Sequence, residues 1–192
     1  MKNNEVVKFG FILFAITAVC TALVAYVFTL TDPIIKQQQI QKDNEARQTL
    51  LTGAKDFKEV YNAANGADEK YDPAIKEIYE AVDASGNTIG YTIKTATKGY
   101  GGDVEVTTGV ATDDKIAGIR MGSMSETPGL GAKAALEPFY GQYTDKKTEE
   151  LKVEKNTATA DNSIVAISGA TITSNAVTKG VNIAIDTYSK LK

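Results

Sequence analysis

The hydrophobic and polar positions along the chain change their period several times, and the first segment is apolar without interruption. Residues 9–30, FGFILFAITAVCTALVAYVFTL, contain no charged side chain. At about 1.5 Å of rise per residue, such a helix spans a hydrocarbon core of about 30 Å. We therefore predict a transmembrane anchor over residues 1–31. A cleaved signal peptide is the alternative, but VFTLTDP is a poor cleavage site.

A polar segment follows the anchor and continues with a helical pattern. Thr31 and Asp32 precede Pro33, an arrangement typical of a new helix start. This predicts a stalk helix over residues 32–53. Its apolar stripe is broken, which favours a solvated stalk and leaves a partner-binding stalk as the alternative.

The charges on either side of the anchor indicate its orientation. Lys2 and Lys8 precede the apolar run, whereas Asp32 and Lys36 follow it. Cytoplasmic flanks carry an excess of basic residues, so this pattern favours a cytoplasmic N-terminus. We expect a single-pass protein of the cell inner (plasma) membrane, in contact with the lipid bilayer, whose C-terminal domain is extracytoplasmic.

The remaining sequence predicts an α+β domain over residues 54–192. After a polar loop at residues 62–73, IKEIYEAV and TIGYTIKTAT form one alternating pair and DVEVTTGVAT and IAGIRMGSM form another. Each pair predicts a hairpin of a largely antiparallel sheet, with helices flanking it. From about Asn175, apolar residues recur at helical spacing: Val177, Val181, Ala184, Ile185, Tyr188 and Leu191.

Composition excludes several classes of function. The net charge of −3 gives no basic surface for nucleic acid, and the chain has no histidine for acid–base catalysis or imidazole ligation. Its single cysteine, Cys20, provides neither a disulfide nor a cysteine-ligated cluster within the chain, and we predict no metal site. KGYGGD lacks the glycine spacing of a dinucleotide-binding turn.

Two loops rich in glycine and hydroxyl groups are the candidate chemistry. They are SETPGLGAK, residues 125–133, and AISGATITS, residues 166–174. In the simpler interpretation they are turns, and Ser174 is the N-cap of the last helix. In the functional interpretation, hydroxyls and glycine amides beside a helix N-terminus hold the phosphate of a cofactor.

These two motifs behind one transmembrane helix resemble the FMN-binding family of flavin-carrying respiratory subunits. ETPGLG occupies residues 126–131 and SGATITS residues 168–174. The likeness covers nearly the whole chain and is strongest to the G subunit of the Rnf ion-translocating electron transport complex. The C subunit of the sodium-translocating NADH:quinone reductase is similar but usually longer.

The resemblance implies a covalent flavin. In the family, the threonine after Gly-Ala carries FMN through a phosphoester bond that a separate flavin transferase installs, and that threonine is Thr171 here. The family's usual aspartate three residues before Ser168 is replaced by Val165, which bears on recognition by the transferase. The remaining expected cofactor-binding residues are Ser168, Gly169, Ala170, Thr173, Ser174, Glu126, Thr127, Gly129, Leu130, Gly131 and Tyr100.

The resemblance also implies an electron-carrying redox subunit of an ion-translocating ferredoxin:NAD+ oxidoreductase, which is not catalytic alone. Its expected partners are the other subunits of the complex and the flavin transferase. Two alternatives stay open. One is a subunit of another extracytoplasmic flavin-based reductase, and the other is a non-enzymatic membrane-anchored binding or assembly module.

Overall fold

The protein is described by a computed structural model that covers residues 2–66 and 68–192. Ala67, which belongs to the predicted polar loop, lies outside the described residues. The same holds for the side chain of Lys2, one of the charges used above to predict the orientation of the anchor.

The first element is one long helix, α1, Lys2–Leu50. It contains an 18-residue window with a mean hydropathy of 2.5, of which nothing is buried. Among the described residues, it is the one helix long and apolar enough to cross a membrane. The chain divides into two compact units between Lys42 and Asp43, so the last turns of α1 belong with the C-terminal domain.

The predicted helix start at Thr31 to Pro33 is wrong. Pro33 lies inside α1, which continues to Leu50. The Thr31 hydroxyl donates to the carbonyl oxygen of Val27 at 2.8 Å, in the preceding turn. A capping threonine would instead accept from an amide of the following turn, so no new helix begins here.

The domain is built on a five-stranded antiparallel sheet in which each strand pairs with the next along the chain. The two predicted hairpins are confirmed, as β2–β3 and β4–β5. The first strand, which pairs with β2 at the sheet edge, was not predicted. The strands are β1 Asp56–Asn62, β2 Ile75–Val82, β3 Thr88–Lys98, β4 Asp103–Ala111 and β5 Ile116–Met124.

One face of the sheet packs against the C-terminal helix α3, Thr171–Leu191. The contact is close, because a Cβ atom on Gly180 would lie 2.7 Å from Oγ1 of Thr95. The core here is apolar and includes Ile93, Val104, Val106, Val110, Val177 and Val181, all fully buried. Around α3 lie a short helix, α2, Glu137–Tyr140, and a parallel pair, β6 Lys152–Glu154 and β7 Ser163–Val165.

The other face of the sheet packs against the last turns of α1 through ion pairs and through the buried side chain of Leu50. The Lys94 ammonium lies 2.8 Å from Asp43 and 3.3 Å from Glu105. Arg47 forms an ion pair with Glu77. Burial disfavours the charged ammonium, but the hydrogen bond to Asp43 and the nearby carboxylates outweigh that effect and raise the pKa of Lys94.

Candidate functional site

A cavity of about 570 Å³ lies where three distant parts of the chain meet. These are the β3–β4 turn, the loop after β5 and the start of α3. Both motif loops therefore contribute to one site, and every predicted site residue except Ser168, Gly129 and Ser174 lines it. The lining residues are Tyr100, Glu126, Thr127, Leu130, Gly131, Gly169, Ala170, Thr171, Ile172 and Thr173.

Glu126 joins the three parts of the chain. Its Oε1 accepts hydrogen bonds from the backbone amides of Tyr100 and Gly101, at 2.8 and 3.2 Å. Its Oε2 accepts from the hydroxyl of Thr173 at 2.9 Å. The carboxylate thus connects the β3–β4 turn, the ETPGLG loop and the first turn of α3.

The first turn of α3 leaves its backbone amides without a side-chain cap. The helix begins at Thr171 rather than near Asn175, and Ala170 at the N-cap position has no side chain that accepts a hydrogen bond. An uncapped N-terminus of this kind presents N–H donors and the positive end of the helix dipole. It is therefore a site at which an anion is stabilised.

The predicted N-cap role of Ser174 is wrong. Ser174 lies inside the first turn, fully buried. Its hydroxyl accepts from the amide of Ile167 at 2.9 Å and donates to the carbonyl of Ala170 at 3.0 Å. Ser174 therefore fastens the preceding loop to the helix and does not line the cavity.

The hydroxyls around this turn differ in their availability. Thr173 is buried, and its hydroxyl is engaged by Glu126. Ser168 is exposed but lies outside the cavity lining. Thr171 is half-buried and lines the cavity, and its hydroxyl forms no hydrogen bond with any of the described residues. Of the residues with hydroxyl groups at the start of α3, Thr171 is the one that lines the cavity and whose hydroxyl makes no hydrogen bond with a described residue.

The glycines of the two motifs have different physical roles. Gly129 has a φ of +78° and Gly169 a φ of +75°, values that L side chains rarely adopt. Gly131 is required for space, because a Cβ atom there would lie 2.5 Å from Oε2 of Glu126 and 2.6 Å from Oγ1 of Thr173. Glycine at position 131 therefore leaves room for the Glu126 carboxylate and its hydrogen bond to Thr173.

Three large side chains at the cavity are unusually exposed for their apolar area. The exposed fractions are 72% for Tyr100, 44% for Leu130 and 55% for Ile172. Ile172 was not predicted from the sequence as a site residue. Its position between two threonines, away from the apolar stripe of the last helix, could have indicated an exposed apolar side chain. Together they provide apolar surface of the kind that covers a planar ring.

The arrangement fits the two halves of FMN. Uncapped amides at Thr171 to Thr173 suit a phosphate, and the apolar side chains suit an isoalloxazine ring. Among the described residues, no lysine or arginine lines the cavity. A phosphate here would rely on backbone amides and hydroxyls rather than on a cation.

Comparison with protein families gives two matches. Residues 99–186 match the FMN-binding domain, and residues 1–50 match the RnfG N-terminal region. The first match spans the cavity and both motif loops. In fold, the chain is similar to the crystal structure of the C subunit of the Na(+)-translocating NADH-quinone reductase from Parabacteroides distasonis. The TM-score is 0.58 with 20% identity, covering 80% of this chain and 94% of that one.

Three curated proteins are similar in sequence along most of the chain, and each is the G subunit of a membrane complex. The one from the Na(+)-translocating ferredoxin:NAD(+) oxidoreductase complex of Acetobacterium woodii is 41% identical, covering 97% of this chain and 93% of the relative. The one from the proton-translocating ferredoxin:NAD(+) oxidoreductase complex of Clostridium ljungdahlii is 38% identical, covering 85% and 81%. The one from the ion-translocating oxidoreductase complex of Methanosarcina acetivorans is 34% identical, covering 97% and 96%. The chain thus belongs to the RnfG family, the G subunits of ion-translocating oxidoreductase (Rnf) complexes.

Proposed function

We propose that this chain is the electron-carrying, membrane-anchored subunit of an ion-translocating ferredoxin:NAD+ oxidoreductase complex, with FMN joined to Thr171. The observation that carries the proposal is the free hydroxyl of Thr171 on the uncapped first turn of α3, at the edge of the cavity. The relatives from Acetobacterium woodii and Clostridium ljungdahlii belong to ferredoxin:NAD(+) oxidoreductase complexes.

A phosphoester bond suits a cavity with this charge distribution. With no lysine or arginine among its described lining residues, the cavity lacks the cations that usually hold a free phosphorylated ligand. A covalent bond removes the need for tight reversible binding. The ester replaces the Oγ1–H bond of Thr171 by an Oγ1–P bond, and the proton leaves with the group displaced from the phosphate of the flavin donor.

The residues of the chain have separate tasks in this proposal. Bound FMN would supply the one- and two-electron chemistry that protein side chains lack. The amides at the start of α3 would hold its phosphate, and the apolar side chains of Leu130 and Ile172 would cover one side of its ring. In this proposal the electron donor and acceptor of the flavin belong to other subunits of the complex.

The covalent site is tested by co-expressing the chain with a flavin transferase and analysing its peptides by mass spectrometry. Wild type should carry FMN on Thr171, Thr171→Ala should carry none, and Thr171→Ser should retain it because the hydroxyl remains. Ser189→Ala, which removes an exposed hydroxyl of the same helix outside the cavity, is the matched control and should leave FMN in place. FMN on another residue, or covalent FMN in Thr171→Ala, contradicts the proposal.

Val165 allows the role of the transferase to be tested separately. The Val165 backbone is held on both sides by Gln142, whose side chain accepts from its amide at 2.7 Å and donates to its carbonyl at 3.2 Å. Replacement of the Val165 side chain should therefore leave the loop in place. If wild type is poorly modified, Val165→Asp should raise the modified fraction. An equally low fraction would show that position 165 does not limit recognition.

We also propose that the domain lies outside the cytoplasm. The described span is suited to a single crossing, and the flanking lysines favour a cytoplasmic N-terminus. In a Cys20→Ser background, a cysteine at exposed Ser85 should react with a membrane-impermeant maleimide in spheroplasts. Glu5→Cys should react only after lysis. The opposite labelling pattern would show that the C-terminal domain lies in the cytoplasm.

Membership of the complex is tested by purification from the native membrane. The chain should co-purify with subunits that carry iron–sulfur centres and with ferredoxin:NAD+ oxidoreductase activity. Co-purification with a quinone reductase instead would favour the related complex, whose C subunit shares the fold. A chain that purifies without redox partners or flavin would be a binding or assembly module.

A further inference from the structure

The side chain of Glu126 is a buried carboxylate whose hydrogen-bond partners are all donors. Only 8% of Glu126 is exposed. Two backbone amides and one hydroxyl donate to its oxygens. The ion pairs of the described residues do not include it. Because an ionised carboxylate only accepts hydrogen bonds, this set of donors suits the negatively charged form.

The backbone around Glu126 is shaped to admit this carboxylate. A Cβ atom on Gly99 would lie 2.3 Å from Oε1, and one on Gly131 would lie 2.5 Å from Oε2. Real Cβ atoms do not approach so closely, so both positions need glycine for the carboxylate to fit. Gly131 belongs to the ETPGLG motif, whereas Gly99 lies on the β3–β4 turn, outside both motifs.

We infer that Glu126 is a positioning residue for the flavin cavity, which it assembles from three parts of the chain and to which it adds a buried negative charge. This inference rests on the proposed function for the identity of the ligand but not for the geometry. Without Glu126, the Tyr100 and Gly101 amides and the Thr173 hydroxyl lose the acceptor that they share.

The buried charge has a consequence for any redox group in the cavity. Adding an electron to a bound flavin beside an uncompensated carboxylate is disfavoured by the repulsion of two negative charges in a medium less polar than water. Glu126 therefore lowers the midpoint potential of the bound FMN. Removal of the charge alone should make that potential more positive.

Two substitutions separate geometry from charge, and a third is the matched control. Glu126→Gln keeps an oxygen that accepts from the Tyr100 and Gly101 amides and has an NH2 group that donates to Thr173, but it removes the charge. Glu126→Ala removes both. Glu154→Gln is the control, because Glu154 also accepts from two hydroxyls and an amide, those of Thr159 and Ser163, and does not line the cavity.

The first test measures hydrogen exchange by mass spectrometry on the full chain in detergent, without flavin. In Glu126→Ala, peptides containing residues 99–102 should exchange on the order of tenfold faster, since hydrogen bonds to a charged group are lost. Glu154→Gln should exchange as wild type does, and Glu126→Gln, which keeps the acceptor but not the charge, should exchange more slowly than Glu126→Ala. Unchanged exchange in Glu126→Ala would overturn the positioning role.

The second test measures the midpoint potential of the flavin in modified full-length protein. Glu126→Gln should show a more positive potential than wild type, while Glu154→Gln should not. Equal potentials in wild type and Glu126→Gln would overturn the role of the charge. If wild type carries no FMN, the proposed function fails, and the exchange experiment still decides whether Glu126 positions the cavity.

Discussion

The two faces of the central sheet differ in the charge that they bury. On one face, α3 packs through fully buried aliphatic residues such as Val177 and Val181. On the other face, the last turns of α1 meet the sheet through ion pairs centred on Lys94 and Arg47. The apolar face holds the helix that carries Thr171, and the charged face holds the end of the membrane helix.

The difference teaches that the two helices are fixed to different degrees. Aliphatic packing stabilises without direction, whereas a buried ion pair is favourable only when each charge meets its partner. The guanidinium of Arg47 has two neighbours to satisfy: it pairs with Glu77 and lies 3.8 Å from the centre of the Tyr79 ring. The ion pairs therefore favour one position of the last turns of α1 on the sheet, whereas the aliphatic packing of α3 does not depend on matched charges.

The largest effect is expected from placing a charge on the apolar face. Val181→Asp would bury an uncompensated carboxylate and should lower the free energy of unfolding by about 4 kcal/mol or more. Lys179→Asp, at an exposed position of the same helix, should change it by less than about 1 kcal/mol. The unfolding free energies of both variants are measured by urea unfolding of the full chain in detergent, with the near-ultraviolet circular dichroism of tyrosine as the signal. Similar losses in the two variants would contradict the apolar packing of α3.

A double-mutant cycle on the charged face should give the next largest effect. Lys94→Met removes the cation beside buried Asp43 and half-buried Glu105 and should cost about 3 kcal/mol. Combined with Asp43→Asn, it should show a coupling energy of roughly 1–3 kcal/mol. The exposed pair of Asp186 and Lys190 is the control and should couple by about 0.5 kcal/mol or less. Equal coupling in the two cycles would mean that the charged face is no more directional than the surface.

Each face contains one buried hydroxyl without a hydrogen-bond partner among the described residues. Removing either hydroxyl should raise the free energy of unfolding, by less than the losses predicted above. They are Oγ1 of Thr92, which shares a face with Lys94, and Oγ1 of Thr108, which shares a face with Val106. Replacing either threonine by valine removes an unsatisfied polar group while keeping the shape of the side chain. Each variant should gain about 1 kcal/mol in unfolding free energy. A loss in one variant would reveal a hydrogen bond on that face.

The smallest effect is the dependence of stability on alkaline pH. Because the pKa of Lys94 is raised in the folded protein, its contribution is complete below the ordinary lysine value of about 10.4 and is lost as the pH rises through the folded value. Burial and the hydrogen bond to Asp114 raise the pKa of Tyr188 to about 12, which adds a second loss above about pH 10. The measurement therefore uses a Tyr188→Phe background.

In that background, the unfolding free energy should fall between about pH 10 and about pH 11.5, and the fall should be shallower when Lys94→Met is added. Identical slopes with and without Lys94 would show that the charged face does not sense pH in this range.

The sequence predicted the regular parts of the fold well because their patterns are strong. IKEIYEAV and its partner alternate along their length, and they form β2 and β3. β1, DFKEVYN, was not predicted, because a largely exposed edge strand shows no alternation of buried and polar positions. The continuity of α1 through Pro33 was not predicted for another reason. Thr-Asp-Pro suits a helix start, and only the geometry shows that Thr31 bonds backwards instead.

The site was predicted as a pair of loops, and their convergence could not be read from the motifs alone. Proximity of Tyr100, Glu126 and Thr173 depends on how the sheet and α3 meet. The start of α3 was misplaced because Ser174 has the side chain of an N-cap, yet it is buried inside the helix. Local propensity cannot distinguish a capping serine from one that fastens a loop.

The hydrogen bonds of Glu126 also impose an order in time. A ribosome makes Tyr100 and Glu126 before Thr173, so the wall that α3 provides is made after the rest of the cavity. A chain cut short before α3 has the ETPGLG loop but neither the helix amides nor the hydroxyl that closes the Glu126 contacts. A complete cavity therefore requires that α3 has been made and has met the two loops, and an enzyme that recognises the cavity would modify only chains that have folded this far.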